Sequence, residues 1–137
     1  MEKHFSEQLE KAIEYLVAKY SPYAIYLFGS AAHDALRVDS DVDIAFLSTR
    51  SVDIMDCFES AQDLYEFFKR EVDLVNLASA STVFSMQVIA HGKLVFCNDD
   101  THRMQFEMIA YKSYAMLNEE RMEILNLVNE RGSIGVR

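Results

Sequence analysis

Leu27-Phe28-Gly29-Ser30-Ala31-Ala32-His33-Asp34-Ala35-Leu36-Arg37-Val38-Asp39-Ser40-Asp41-Val42-Asp43-Ile44 joins two apolar runs through a glycine-serine bend and a pair of acids. The first run, Ala24–Phe28, is short and closed by Gly29-Ser30, which predicts a buried strand entering a tight turn. The second, Asp41–Leu47, predicts another strand. Residues i and i+2 of a strand point to the same face, so Asp41 and Asp43 are co-facial, with Cα atoms about 6.6 Å apart. Val42, Ile44 and Phe46 then take the core side. At average residue frequencies this Gly-Ser and Asp-x-Asp frame arises by chance in about one chain in 500 of this length. An ordinary turn beside a solvated strand edge is therefore the weaker explanation.

Two ionised carboxylates this close repel unless a cation lies between them. Mg²⁺ suits the position, being hard, oxygen-seeking and normally shared with substrate phosphates. Gly29 allows close approach of a phosphate to the backbone, and the Ser30 bend adds N–H groups and a hydroxyl. Asp73, in Glu71-Val72-Asp73-Leu74-Val75, shows the same alternation of acid and apolar neighbours. If strand 71–77 pairs in register beside 41–47, Asp73 joins the same face. Three carboxylates with two metal ions about 3.5–4 Å apart form the apparatus of in-line phosphoryl or nucleotidyl transfer.

The rest of the chain supplies a scaffold for this frame. Phe5, Leu9, Ala12, Ile13, Leu16, Val17 and Tyr20 recur at helical spacing, predicting a helix over 4–19 that Ser21-Pro22 ends. Ala31–Leu36 has room for one or two helical turns, and 37–40 is loop. Ser51 or Asp53 caps a second helix, whose repeat is Ile54, Met55, Phe58, Ala61, Leu64, Tyr65 and Phe68. Glu71–Leu77 is a third strand. Ser81 or Thr82 caps a helix to Ala90, Gly92 ends it, and Lys93–Phe96 is a short fourth strand. A long helix opens at Asn98–Thr101 and runs to about Val128, with a frayed tail over 131–137. This order is α/β (α+β): a small mixed sheet of about four strands flanked by helices, in one domain spanning 1–137.

The last helix is apolar over more than one stripe. Phe106, Ile109, Ala110, Met116, Leu117, Ile124 and Val128 form one side, and Met104, Met108, Tyr111, Ala115, Met122 and Leu125 extend it. Two surfaces then need cover: either a wide contact with the core, or a face that docks a partner or a second copy.

Thirteen Lys and Arg against 22 Asp and Glu give a net charge of −9, which opposes a long electrostatic footprint on nucleic acid. A small nucleotide, met through metal ions, is compatible with it. Cys57 and Cys97 show no CxxC spacing and are expected as buried thiols of a reducing compartment. No apolar run approaches the roughly 18 residues of a membrane span, and the charged N-terminus does not resemble a secretory signal, so a cytoplasmic location is expected. Neither a GxxxxGK[ST] nor a GxGxxG pattern occurs. His33, Arg37 and Lys93 are expected chiefly as loop or solvated residues, and Tyr26 and Tyr65 as core.

The stretch from Leu27 to Leu47 resembles the signature of the DNA polymerase β superfamily, in its minimal nucleotidyltransferase branch. The resemblance extends over nearly the whole chain, to the Ile89–Phe96 end of the last strand. It implies a nucleotidyltransferase-like fold with a long C-terminal helix. It also implies that Gly29 and Ser30, with Ser40, bind the nucleotide, and that Asp41, Asp43 and Asp73 hold Mg²⁺. Asp73 would additionally aid deprotonation of the acceptor. Many members carry an arginine shortly after Gly-Ser, where this chain has Ala32-His33-Asp34. Within the family the short chain with a long last helix is similar to the MntA-like antitoxins, encoded beside HEPN-domain RNase toxins. That similarity implies ATP as substrate, AMP transfer to a toxin hydroxyl, with tyrosine as the expected acceptor, and a hetero-oligomer with the toxin. Two rival expectations are a binding-only antitoxin with a vestigial site and a small-molecule nucleotidyltransferase acting on an antibiotic or metabolite.

Overall fold

The computed structural model describes residues 3–33, 37 and 39–135, with side chains described through Glu130. Four strands, β1 (Ala24–Phe28), β2 (Val42–Leu47), β3 (Val72–Asn76) and β4 (Lys93–Cys97), form one sheet in the order β3-β2-β1-β4. The β1–β2 and β1–β4 pairs are antiparallel and β2–β3 is parallel, so the sheet is mixed, as expected. Parallel strands need a crossover, and α2 (Ile54–Phe68) supplies it. Helices α1 (Lys3–Tyr20), α3 (Thr82–His91) and α4 (Asp100–Gly135) complete the chain.

Strand alternation sorts β1 and β2 between two cores. Ile25, Leu27, Val42, Ile44 and Phe46 pack with Leu9, Leu16, Leu64 and Phe68 of α1 and α2. Ala24, Tyr26, Ala45 and Leu47 pack on the other side with Val88, Phe84 and Phe106 of α3 and α4. Asp53 caps α2 with a full capping box, exchanging hydrogen bonds with Asp56, and Ser81 caps α3 by accepting from the Phe84 N–H.

Several expectations change. Asp41 precedes β2 rather than opening it, and the segment after Gly29-Ser30 is a short 3₁₀ turn, Gly29–His33. The rest of the expected 31–36 helix lies outside the described residues. On α2, Ile54, Met55, Phe58 and Tyr65 face solvent, while Cys57, Ser60, Leu64 and Phe68 face the core. Helical periodicity marks an apolar stripe but not which stripe is covered when a helix has two. Of the two thiols, Cys57 is buried and Cys97 half-buried, and both are free.

Helix α4 resolves its two alternatives along its length. Its first turns are held to the sheet: Tyr23 stacks on His102 at 4.0 Å, and the Tyr26 hydroxyl donates to Glu107 at 2.6 Å. Ala110 is the last buried residue of the helix among those described. Beyond it Met116, Met122, Ile124, Leu125, Leu127 and Val128 are all exposed. The expected broad core contact is therefore confined to the first third. The helix also continues through Gly135 rather than stopping near Val128 and fraying over the tail. Its 36 residues reach about 54 Å. The solvent-accessible surface is 8790 Å², against roughly 7,300 Å² for a globular chain of this mass, in keeping with a helix that leaves the body of the domain.

Candidate active site

The site forms where β1 ends and β2 and β3 begin. Parallel pairing sets Asp43 opposite Asp73, and neighbours in register share a face, so the two carboxylates lie on the same side of the sheet. This is the side of α3, opposite Ile44 and Leu74, which enter the core beneath α1 and α2. Asp41 stands two residues before Asp43 at the mouth of the strand, exposed like Asp73, while Asp43 is half-buried. Asp43 interacts electrostatically with both of the others. Burial, followed by the charges of Asp73 and Asp41, pushes the Asp43 carboxyl up to about 6.

Gly29 closes the other wall. Phe28 pairs with Asp43 across β1–β2, which puts Gly29 against that carboxylate. Gly29 has φ +66°, and a Cβ there would lie 2.3 Å from Asp43 Oδ2. Only glycine permits both the backbone conformation and the approach. Next to it, Phe28, Ser30, His33, Phe84, Gln87 and His91 line a hollow of about 400 Å³ between the 3₁₀ turn and α3. His33 is thus at the rim of a ligand-sized space, not only in a loop.

Ser40 makes a different set of contacts. Its hydroxyl accepts the Arg37 N–H at 2.9 Å and its own N–H donates to the Arg37 carbonyl at 3.1 Å, closing the turn that leads into Asp41. Arg70, not singled out from sequence, donates to the carbonyls of Arg37 and Ser40 and ties this turn to the start of β3. Its only sequence signal was being a cation just ahead of the third acidic strand. Lys93 is solvated, as expected, and Tyr65 is on the surface rather than in the core.

The donor set is all oxygen, carries excess negative charge and adjoins a cleft, which fits a hard divalent cation. Among the described residues no three His, Cys, Asp or Glu side chains form a ready-made metal cage.

A mixed sheet that sets Gly-Ser against acids on two adjacent strands is the arrangement of a nucleotidyltransferase domain. Residues 10–101 match the family model described as polymerase beta, nucleotidyltransferase, and the chain belongs to that family. Protein adenylyltransferase MntA of Shewanella oneidensis is 36% identical over 102 residues, which is 74% of this chain and 73% of that protein. Among solved structures, a toxin–antitoxin crystal structure with AMP-PNP matches with TM-score 0.74 and 35% identity, covering 87% of this chain and 97% of the other. A complex of tri-AMPylated S. oneidensis HEPN toxin with MNT antitoxin matches with TM-score 0.74 and 32% identity, over 90% and 97% of the two chains.

Proposed function

We propose that this protein is a Mg²⁺-dependent protein adenylyltransferase, acting in the cytoplasm as the antitoxin of a HEPN-domain toxin and transferring AMP from ATP to a tyrosine hydroxyl of that toxin. The observation that carries the chemistry is the in-register pairing of Asp43 with Asp73, with Gly29 packed against Asp43. The partner and the acceptor are carried by the likeness to MntA and to the AMPylated complex. Among the described residues no helix is long and apolar enough to cross a membrane, which is compatible with the location.

Asp41, Asp43 and Asp73 would hold the metal, in two ions. When bound, it supplies positive charge to the triphosphate and to the departing pyrophosphate. Gly29 and Ser30 present the bend that seats the phosphates, and the hollow toward α3 is open to the rest of the nucleotide. The acceptor oxygen forms a bond to the α-phosphorus while the bond from that phosphorus to the bridging oxygen of the β-phosphate breaks. Pyrophosphate leaves with the electron pair. The hydroxyl proton passes to the Asp73 carboxylate and then to water.

The test is labelled ATP and Mg²⁺ with the purified toxin. Label on the toxin, lost in Asp41→Ala/Asp43→Ala, supports the reading; absence of label in the wild-type reaction rejects it. A second reading, neutralisation by binding alone, is favoured by the long exposed half of α4 and by Ala32-His33 standing where many relatives carry arginine. Toxin neutralisation that persists undiminished in the double Asp variant selects it.

A further inference from the structure

Helix α2 has a second apolar stripe that the domain leaves uncovered. Ile54, Phe58, Ala61 and Tyr65 recur at i, i+4, i+7 and i+11, on one face of the helix. Ile54 is 84% exposed and Phe58 59%. Beyond the stripe runs β3, which pairs only with β2 among the described residues and so presents a free edge. Between helix and edge lies a groove of about 440 Å³, and past Phe58 it meets a second hollow of about 370 Å³ beside Tyr65 and Glu71. Leu74, in the wall of the groove, is on the α1–α2 side of the sheet, whereas Asp43 and Asp73 carry their carboxylates on the α3 side. A molecule seated in the groove therefore leaves the catalytic cleft open.

The charge around the groove is one-sided. From Asp53 to Glu71 the chain has six acids and two cations. Both cations are already engaged: Lys69 with Glu66 at 2.9 Å, and Arg70 with the carbonyls of Arg37 and Ser40. Among the described residues no Lys, Arg or His lines either hollow. Such a surface repels nucleic acid and anionic lipid. It also repels a second copy of this chain. An α2-to-α2 contact would oppose six acids with six, and the exposed half of α4, over 111–130, has four acids against two cations. The surface suits a protein segment that brings apolar anchors together with Lys or Arg.

We propose that the groove between α2 and β3 is the docking surface for a basic, apolar-anchored segment of the partner protein, and that it holds the partner apart from the catalytic cleft. The inference rests on the antitoxin reading for the identity of the partner, and adds where the partner is gripped and by what chemistry. Ile54 to Tyr65 spans about 16 Å, about three turns of helix, so more than one anchor can be seated. Apolar walls rimmed by exposed charge have the centre and border of a protein–protein contact. Docking here raises the local concentration of the acceptor without touching the reacting atoms. Its loss should therefore act on the KM for the toxin and not on the use of ATP.

The test is calorimetric titration of the purified toxin into this chain, without ATP or Mg²⁺, at low and high salt. The wild-type Kd should rise with salt. Ile54→Ser/Phe58→Ser, at two exposed positions, should raise Kd at least about tenfold and leave Tm and ATP affinity unchanged. Phe58→Leu, which keeps an apolar side chain, should bind and transfer AMP nearly as the wild type does. Glu59→Gln/Glu71→Gln should raise Kd about twofold to fivefold and flatten its salt dependence. An unchanged Kd in the Ile54/Phe58 variant overturns the groove, and label transfer by the wild type then still supports the enzymatic reading. Groove-dependent binding without label transfer leaves the docking surface standing and rejects the enzymatic reading. A wild-type Kd indifferent to salt overturns the basic character of the segment. No binding by the wild type overturns the docking surface together with the antitoxin reading. A homodimer of this chain alone that the Ile54/Phe58 variant dissolves would give the groove to a second copy and overturn the proposal.

Discussion

The two sides of the acidic centre are built by different means. On the side proposed for the nucleotide, the wall is backbone: Gly29 at φ +66° against Asp43, fixed by the pairing of β1 with β2. Beyond the β3 edge, the surface is made of exposed side chains on α2 beside a strand that pairs only with β2 among the described residues. A backbone wall holds one geometry and tolerates no added atom. A side-chain wall changes with each substitution and leaves the strands undisturbed. A phosphate-transfer site can thus stay constant while the surface beside it is altered for a different acceptor. The two walls should therefore differ sharply in their tolerance of mutation.

The strongest break comes at the centre. Asp41→Ala/Asp43→Ala should reduce AMP transfer at least about a thousandfold, because the charge proposed to hold the metal and orient the triphosphate is gone. The partner should still bind, which co-purification measures. Gly29→Ala comes next. Its Cβ would meet Asp43 Oδ2 and the residue would sit in the left-handed region, so we expect about 1–2 kcal/mol of destabilisation and about a hundredfold loss of transfer. Chemical denaturation and single-turnover kinetics measure the two effects. If Gly29→Ala were as mild as Phe58→Leu, the distinction between the walls would fail.

Helix α4 shows the same division within one element. Tyr26→Phe removes the hydroxyl that binds Glu107 at 2.6 Å and should cost about 1 kcal/mol. Ile124→Ser and Val128→Ser, on the exposed half, should change stability by less than about 0.5 kcal/mol. Urea unfolding distinguishes them. A loss of stability at Ile124 comparable with that at Tyr26 would mean that the free half is covered by its own domain or by a second copy.

What was legible in the sequence follows the same line. Asp41, Asp43 and Gly29-Ser30 could be placed because their constraints are local: period-two alternation, and a glycine at a bend. Asp73 could be matched to Asp43 only conditionally, since strand pairing is a long-range choice that alternation permits but does not select. The exposed stripe of α2 was not legible. Its Ile54, Phe58 and Tyr65 obey the same 3.6-residue period as the buried Cys57, Leu64 and Phe68, and period alone does not say which face meets the core. For α4 the two faces were visible but not the point, just past Ala110, at which the domain ceases to cover them. Arg70 escaped notice because its role depends on the carbonyls of Arg37 and Ser40, thirty or more residues away in the chain.

A further modest effect is expected at Asp43. Without metal, burial and the charges of Asp73 and Asp41 hold its carboxyl at about 6, above the ordinary value of 3.8. Between those values the folded chain keeps a proton that the unfolded chain releases, so folding is favoured below about 3.8 and that contribution disappears as pH rises through 6. Unscreened, the difference corresponds to about 3 kcal/mol; Asp43 is only half-buried, and solvent screening leaves about 1 kcal/mol. Asp43→Asn, which cannot ionise, should then be more stable than wild type at pH 7.5 by about 1 kcal/mol, or about 3 °C in Tm, with the gap closing near pH 4. Mg²⁺ should raise the wild-type Tm at pH 7.5 and leave that of Asp43→Asn nearly unchanged, because the ion compensates the repulsion that the amide has already removed. If Asp43→Asn were instead less stable at pH 7.5 without metal, the carboxylate would already be compensated by the fold, and the electrostatic case for a divalent cation at this position would be lost.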